Sequence, residues 1–466
     1  MNSEEFRIWG KKMVDCVADY WSTIRERKPL PDLKPGYMKD LLPDRAPERG
    51  EQWENIFKDL ESVVFSGVTH WHHPHFFSYY PTALSYPAIM GDILSGGLGC
   101  LGFTWLSSPA ATELEMIVVD WVAEMIKLPS FFFNKDPGPG VGMIQSTASD
   151  CTLVAFMAAR SKAQAEGKDT FKLVAYTSEY AHSSVERAAL LENVIIRKIA
   201  TDEKFQLRGE SLASAIEKDL RDGLVPFLVC ATLGTTSCCS FDNLSEIGSV
   251  CQKYGLYLHV DAAYAGSAFI CQEYRHHLAG IELVDSFNFN AHKLLLVNFD
   301  CSLMWFKNGH QVEKAFLVDP IYLKHEHAGQ VIDFKNLQIP LGRRFRALKL
   351  WFVLRHYGIE GLQAHVRSIF QHADEFSKLV GKDDRFEISA PVNLGLVCFR
   401  LKGENAKTEN LLKLINEDRR IHLVPTHMKS IFVLRLAVCS TMTTSDDINF
   451  AWKVIKALAD KIWYKN

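Results

Sequence analysis

The sequence predicts an α/β fold whose centre is a mostly parallel sheet, with a helical arm before it and a smaller α+β unit after it. Three observations predict this. Between about residue 140 and residue 306, short apolar runs alternate with amphipathic stretches, the pattern of strands joined by crossover helices. Ahead of that region stand two wide-faced amphipathic stretches separated by prolines. After Gly358 the pattern changes to long helices and paired apolar runs. The expected division is 1–85 for the arm, 86–358 for the large α/β domain and 359–466 for the C-terminal domain.

Residues 3–27 read as a helix. Phe6, Trp9, Met13, Val17, Tyr20 and Ile24 recur at helical spacing, Ser3 is the expected N-cap, and Glu4 and Glu5 suit the first turn. Pro29, Pro31 and Pro35 end it. A second helix is expected over 51–65. The segment His70 to Pro87 is dense in histidine and aromatic residues, but its prolines exclude a regular helix or central strand. A helix follows over 109–128, with Ser108 as cap and Pro109 in its first turn. Candidate strands are 142–145, 173–176, 194–199, 227–231, 256–260, 286–290 and 302–306. Candidate helices are 149–165, 183–190, 209–220, 243–254 and 344–357. Beyond Gly358 come a helix over 359–380, a strand in 394–403, a helix over 407–418, two further apolar runs and a last helix.

Composition narrows the function classes. With 466 residues and 47% hydrophobic content the chain can build substantial cores. A net charge of −3 gives no footprint for nucleic acid or an anionic membrane surface. The charged N-terminus lacks the apolar core of a secretory signal, and no apolar run approaches the ~18 residues of a membrane span. The 11 cysteines are scattered and odd in number, which fits reduced thiols in the cytoplasm and argues against zinc.

Four features fall where predicted strands end, the place where ligands gather in such folds. Gln145-Ser-Thr-Ala-Ser149 lies between a strand and a helix. Small hydroxyl residues there either bind phosphate through free backbone N–H groups or simply cap the helix. His182 follows the strand ending LVAYTSEY and reads either as an ordinary loop histidine or as a ring lying on a cofactor. Asp261 closes an apolar strand, and its carboxylate needs a cationic partner, such as a protonated pyridine nitrogen, or helix N–H donors. Lys293, in DSFNFNAHKLLLVNFDCS, stands between apolar segments. A lysine there is either exposed or has its amine neutralised or covalently used, as in a Schiff base.

At these residues the chain resembles the group II pyridoxal-phosphate-dependent amino acid decarboxylases, and within them the aromatic-L-amino-acid branch. The likeness runs through PGYMKDLLP, THWHHPHFFSYYPTALSYP, GFTWLSSPAATELE, AHSSVERA, ATLGTTSCCSFDNL, HVDAAYAGSAFICQEYRH, DSFNFNAHK, YLKH and QIPLGRRFRALKLWF. It implies the aspartate-aminotransferase-like fold (fold type I), pyridoxal 5'-phosphate as cofactor and a homodimer with its active site between subunits. It implies that Lys293 binds the cofactor aldehyde and that Asp261 binds the pyridine nitrogen, with Ala263 against the ring and His182 on the other face. Ala148 and Ser149 are implied to hold the phosphate, helped by Thr147, Asn290 and His292, with Thr236 beside the cofactor. Trp71, Tyr79, Tyr80, Pro81, Thr82 and Phe299 are implied to line the substrate pocket. Leu101 and Phe103 are implied to reach in from the neighbouring subunit, on which the N-terminal arm packs. Tyr322, on a mobile loop, is implied to return a proton to Cα after CO2 leaves.

The resemblance also separates activities. Acetaldehyde synthases of the family typically replace the loop tyrosine by phenylalanine or the ring histidine by asparagine, and this chain keeps Tyr322 and His182. Histidine decarboxylases typically carry serine where Gly342 stands, although Tyr80 matches them. The expectation is decarboxylation of DOPA, 5-hydroxytryptophan, tyrosine or tryptophan to the amine. The alternatives are an aromatic acetaldehyde synthase and a histidine decarboxylase. Ala291, Leu294, Tyr180, His73 and Leu84 depart from the family's usual residues.

Overall fold

The structure, a computed structural model, describes residues 1–136, 138–318 and 320–464. Four helices precede the first strand: α1 (Ser3–Ser22), α2 (Trp53–Lys58), α3 (Tyr86–Leu98) and α4 (Pro109–Met125). Then β1 (Val141–Gln145), α5 (Ala148–Ala165), β2 (Leu173–Ser178), α6 (Ser183–Leu191), β3 (Ile195–Ile199) and α7 (Gly209–Arg221) alternate. The series continues with β4 (Val225–Thr232), α8 (Leu244–Tyr254), β5 (Tyr257–Asp261), β6 (Ser286–Asn290), α9 (Ala291–Leu294), β7 (Ser302–Phe306) and α10 (Gly309–Phe316). The last part holds α11 (Ala347–Val380), β8 (Phe386–Ile388), β9 (Leu396–Leu401), α12 (Asn405–Asp418), β10 (Val424–Met428), β11 (Ile431–Ala437) and α13 (Ser445–Trp463).

The seven-stranded sheet has the order β1-β7-β6-β5-β4-β2-β3, with only β7 antiparallel to its neighbours. The predicted α/β class is therefore the observed one. Side chains alternate between two layers, as strand geometry requires. Along β2, Leu173 and Ala175 pack with α5, α6 and α10, while Val174 and Tyr176 pack with α4, α7, α8 and α11. The second sheet, β10-β11-β9-β8, is wholly antiparallel.

Several local readings are corrected. Asn2, not Ser3, caps α1, because its side chain accepts from the Glu4 and Glu5 N–H groups while Glu5 reaches back. The helix expected over 51–65 is a short α-helix followed by a π turn and a 3-10 turn. Helix α3 was not foreseen. Its sequence contains a proline and three glycines, which read as breakers. The proline sits in the first turn behind the Ser85 cap. Gly91 answers to packing, since a Cβ there would stand 2.5 Å from Lys349 Cα in α11. Helix α10 was also missed. The two helices expected on either side of Gly358 do abut there, where that glycine takes φ 63°.

The His70–Pro87 segment has no regular helix before α3. Its histidines tie the arm to the C-terminal helix: His70 Nδ1 lies 2.7 Å from Tyr20 Oη, and His75 Nε2 lies 2.9 Å from Asp447, which also pairs with Arg25. Among the described residues no group of three or more His, Cys, Asp or Glu is arranged to hold a metal. Among them also, no helix is long and apolar enough to cross a membrane.

Candidate active site

Five strands of the large sheet bring their ends to one edge. β1, β2, β4, β5 and β6 end there, and β7, running the other way, begins there: Gln145 and Asn290 both pair with Ser302. That reversal places the whole connection from His292 to Cys301 at the edge, with Lys293 and Phe299 in it.

The cofactor half of the edge is built from backbone geometry. Thr147 caps α5, its Oγ1 accepting from Asp150 N–H at 3.2 Å while the Asp150 carboxylate takes the Thr147 N–H at 3.1 Å. The amides of Ala148 and Ser149, in the first turn, have no intrahelical acceptor by construction. They leave an anion site at the N-terminus of an 18-residue helix. The capping reading holds for Thr147, and the cap leaves the neighbouring amides available.

Asp261 is 3% exposed at the end of β5, and its Oδ1 accepts the Ala263 N–H at 2.9 Å. Asn290 donates its N–H to the Ala263 carbonyl at 3.0 Å, and its own Oδ1 is buried without a partner among the described residues. His182 is the cap of α6, with Nδ1 accepting the Ser184 N–H at 3.1 Å. In the neutral ring the proton is therefore on Nε2. Burial pushes the His182 imidazole below its ordinary pKa, opposed by Asp261 and assisted by Lys293. His292 is fixed in the same way, its Nδ1 accepting the Cys301 N–H at 2.9 Å. Burial and then Lys293 push it down to about 3. Removal from water brings the Lys293 amine down to about 8; Asp261 opposes this shift and Arg435 adds to it. An amine so depressed is a usable nucleophile near neutral pH.

A cavity of about 660 Å³ opens above this edge, lined by Trp71, Tyr79, Tyr80, Pro81, Thr82, His182, Thr236, His292, Lys293 and Phe299. Tyr80 is a fixed wall. It stacks on Tyr264 at 3.7 Å, its hydroxyl donates to the Thr235 carbonyl at 2.8 Å, and Lys293 Nζ stands 5.3 Å over its ring. Trp71 stacks on Tyr79 at 5.1 Å. The wall is bonded to the lysine turn: Ala83 N–H donates to the His292 carbonyl at 2.6 Å and Ser85 Oγ to the Leu296 carbonyl at 2.7 Å.

Tyr20, Val68, Thr69, His72 and Arg435 also line the cavity and were not anticipated. Arg435 had a legible signal, a lone cation inside the apolar run FVLRLAVCS. It is 3% exposed, its guanidinium lies 5.2 Å from the Tyr80 ring centre, and its Nε has no partner among the described residues.

The anticipated residues Thr147, Ala148, Ser149, Asp261, Ala263 and Asn290 lie at the sheet edge without lining this cavity, and Leu101, Phe103, Tyr322 and Gly342 also do not line it. These last four belong to one other surface. A Cβ built on Gly342 would stand 3.8 Å from Leu101 Cδ2. Gly102 N–H donates to the Arg343 carbonyl at 3.3 Å, and Lys335 N–H to the Phe103 carbonyl at 3.0 Å. Arg343 is buried against Glu115, which also takes the Ile144 N–H at 2.7 Å. Leu101 is 57% and Tyr322 77% exposed.

Of the departing residues, Tyr180 has a clear structural use. Its hydroxyl accepts the Lys429 N–H at 2.9 Å and so holds the β10–β11 turn near His182. Ala291 and Leu294 are buried on either side of the His292–Lys293 pair.

Comparison with known proteins follows the geometry. The pyridoxal-dependent decarboxylase conserved domain matches residues 35–402. The chain is 53% identical over 472 residues to the aromatic-L-amino-acid decarboxylase of Drosophila melanogaster, covering 99% of this chain and 92% of that protein. Its structure is similar to Oryza sativa TDC with PLP and tryptamine, with TM-score 0.97, 37% identity and 99% coverage of each chain. It is also similar to 4-hydroxyphenylacetaldehyde synthase of Rhodiola rosea, with TM-score 0.94, 38% identity and 99% coverage of each chain. The donor set at the sheet edge fits the cofactor of these proteins: a helix N-terminus for the phosphate, a buried carboxylate for the ring nitrogen and a depressed lysine amine for the aldehyde. The chain belongs to the pyridoxal-dependent decarboxylase family and is a pyridoxal-phosphate-dependent carboxy-lyase of fold type I.

Proposed function

We propose that this enzyme decarboxylates aromatic L-amino acids to the corresponding amines, and that it does so as a homodimer. The observation that carries the substrate class is the aromatic wall of Trp71, Tyr79, Tyr80 and Phe299 around the Lys293 amine. The identity with the Drosophila enzyme points the same way. DOPA, 5-hydroxytryptophan, tyrosine and tryptophan are the substrates within this class.

Pyridoxal phosphate, when bound, supplies an aldehyde for the substrate amine and a ring that accepts the electron pair released with CO2. The residues of the chain do the rest. Ala148 and Ser149 would present their amides to the phosphate, with Thr147, Asn290 and His292 helping and Thr236 beside the cofactor. Asp261 would pair with the ring nitrogen, and His182 and Ala263 would hold the ring. The Lys293 amine would bind the aldehyde. The aromatic wall with Pro81 and Thr82 orients the side chain, and His292 flanks the lysine. Tyr322 delivers a proton to the substrate Cα.

The dimer is supported by what one chain leaves open. Helix α1 buries none of its own residues, and Phe6, Ile8 and Val14 on it are exposed. So are Met90, Ile93, Leu94 and Leu98 on α3 and Leu101 beyond it. An apolar surface of this extent calls for a partner. In this reading Leu101, Phe103, Gly342 and Tyr322 complete the cavity of the second copy. Residues 1–85 act as the arm, 86–358 as the cofactor domain and 359–466 as the small domain. Eleven free thiols suit a reducing cytoplasm.

The test is a substrate panel of DOPA, 5-hydroxytryptophan, tyrosine, tryptophan and histidine, scoring amine and aldehyde together. Amine from one or more aromatic substrates is expected. Aldehyde with peroxide as main product, or histidine as best substrate, sinks the reading.

A further inference from the structure

In the segment that carries Tyr322, His325 is held to Asp333. His325, three residues on, has 2% of its side chain exposed, while Tyr322 is 77% exposed. The His325 Nε2 lies 3.0 and 3.2 Å from the two carboxylate oxygens of Asp333. Asp333 Oδ1 also accepts the Trp105 N–H at 2.8 Å. The Trp105 ring meets His327 edge-on at 5.0 Å. Asp333 thus joins the Tyr322 loop to the segment holding Leu101 and Phe103. The other ring nitrogen of His325, Nδ1, is buried without a partner among the described residues. Burying an imidazole costs free energy unless its polar atoms are bonded, so the bond to Asp333 is what keeps this ring inside.

We propose that His325 and Asp333 are positioning residues that set where Tyr322 stands and thereby decide how the reaction ends. The proposal rests on Tyr322 as the proton donor to Cα. With the pair intact, Cα loses CO2 and gains a proton, with no net oxidation, and the product is the amine. With the pair broken, that proton arrives late and dioxygen competes for the electrons. The substrate then consumes a molecule each of dioxygen and water and yields aldehyde, CO2, ammonia and hydrogen peroxide, the dioxygen being reduced to the peroxide. Neither residue lines the cavity at Lys293, and the pair acts through the loop.

The experiment compares holoenzyme carrying His325→Ala, His325→Gln, Asp333→Asn or Tyr322→Phe with the parent, in air, on the best substrate of the panel. Amine, aldehyde and peroxide are measured, together with the rate of proteolytic cleavage within residues 320–330. His325→Ala is expected to raise the aldehyde-to-amine ratio by at least about fivefold, with KM within about twofold, since ground-state binding is untouched. Cleavage of the loop should also quicken. His325→Gln, whose amide still donates to Asp333, should return toward the parent. Asp333→Asn keeps an acceptor but loses the charge, and should fall between; it also serves if His325→Ala does not fold. An unchanged ratio and cleavage rate in His325→Ala, beside a changed ratio in Tyr322→Phe, overturns the latch and leaves the role of Tyr322 standing. An unchanged ratio in Tyr322→Phe overturns that role and, with it, control of the product by the pair.

Discussion

The sheet edge around Lys293 and the surface around Leu101 and Tyr322 carry residues of one proposed active site, yet they are packed in opposite ways. At the sheet edge Asp261 and His292 are buried, and His182 and His292 each have one ring nitrogen fixed by a backbone N–H. At the other surface Leu101 and Tyr322 are mostly exposed, as are apolar residues of α1 and α3. The difference is one of reference state. The pKa values at the sheet edge are shifted chiefly by burial and then by neighbouring charges, and a single chain supplies both. Substrate access and proton return need parts that move, and these sit where little packing holds them.

The largest expected effect tests the first region. Lys293→Ala should lower decarboxylation by more than roughly 10³-fold and remove the pyridoxal phosphate that borohydride fixes to the parent. In the parent stripped of cofactor, capture of added pyridoxal phosphate should follow the neutral fraction of this amine. Because its pKa is lowered to about 8, capture should rise about fivefold from pH 7 to pH 8 and level off above about pH 9. A rate still climbing past pH 10 contradicts the depressed amine.

A second effect tests the open region. Paired substitutions Met90→Glu and Leu94→Glu place charge on an exposed apolar face of α3. Sedimentation should then show monomers, and activity should fall with the dimer fraction, while Lys293 still captures the cofactor. Full activity in a demonstrated monomer breaks the division of the site between two copies.

The smallest effect concerns the join between the sheets. Tyr180→Phe removes the acceptor for the Lys429 N–H and should cost about 1 kcal/mol of stability, read as a lower denaturation midpoint. No change in stability and no change in substrate KM would mean that this departure from the family is neutral.

The inner strands of the large sheet were legible because they are short runs buried on both faces, unlike β3 with its half-buried Arg197 and exposed Lys198, and the edge residues were legible because they interrupt or terminate such runs. Asp261, Lys293 and Arg435 are all charges inside apolar sequence; for Arg435 that pattern signals burial, while the cavity it faces is formed by residues distant in the chain. Helix α3 was hidden because Gly91 is there for its contact with Lys349 of α11, a contact between residues far apart in the chain. The cap of α1 shifted by one residue because Asn2 and Ser3 both have side chains able to cap, and only the backbone turn selects between them.

By itself the sequence determined the α/β class, which follows from periodicity, and marked residues at the strand ends, which stand out as polar groups set against apolar runs. The cofactor was implied by the resemblance of its local motifs to a known family. Tertiary structure alone decided that β7 runs backwards to bring Phe299 to the lysine edge and that Tyr80 has its hydroxyl committed. It also joined Leu101, Phe103, Gly342 and Tyr322 into one surface apart from the cavity, through Asp333 and Arg343. Those facts depend on hydrogen bonds and close contacts between residues distant in the chain, and no local pattern encodes such partners.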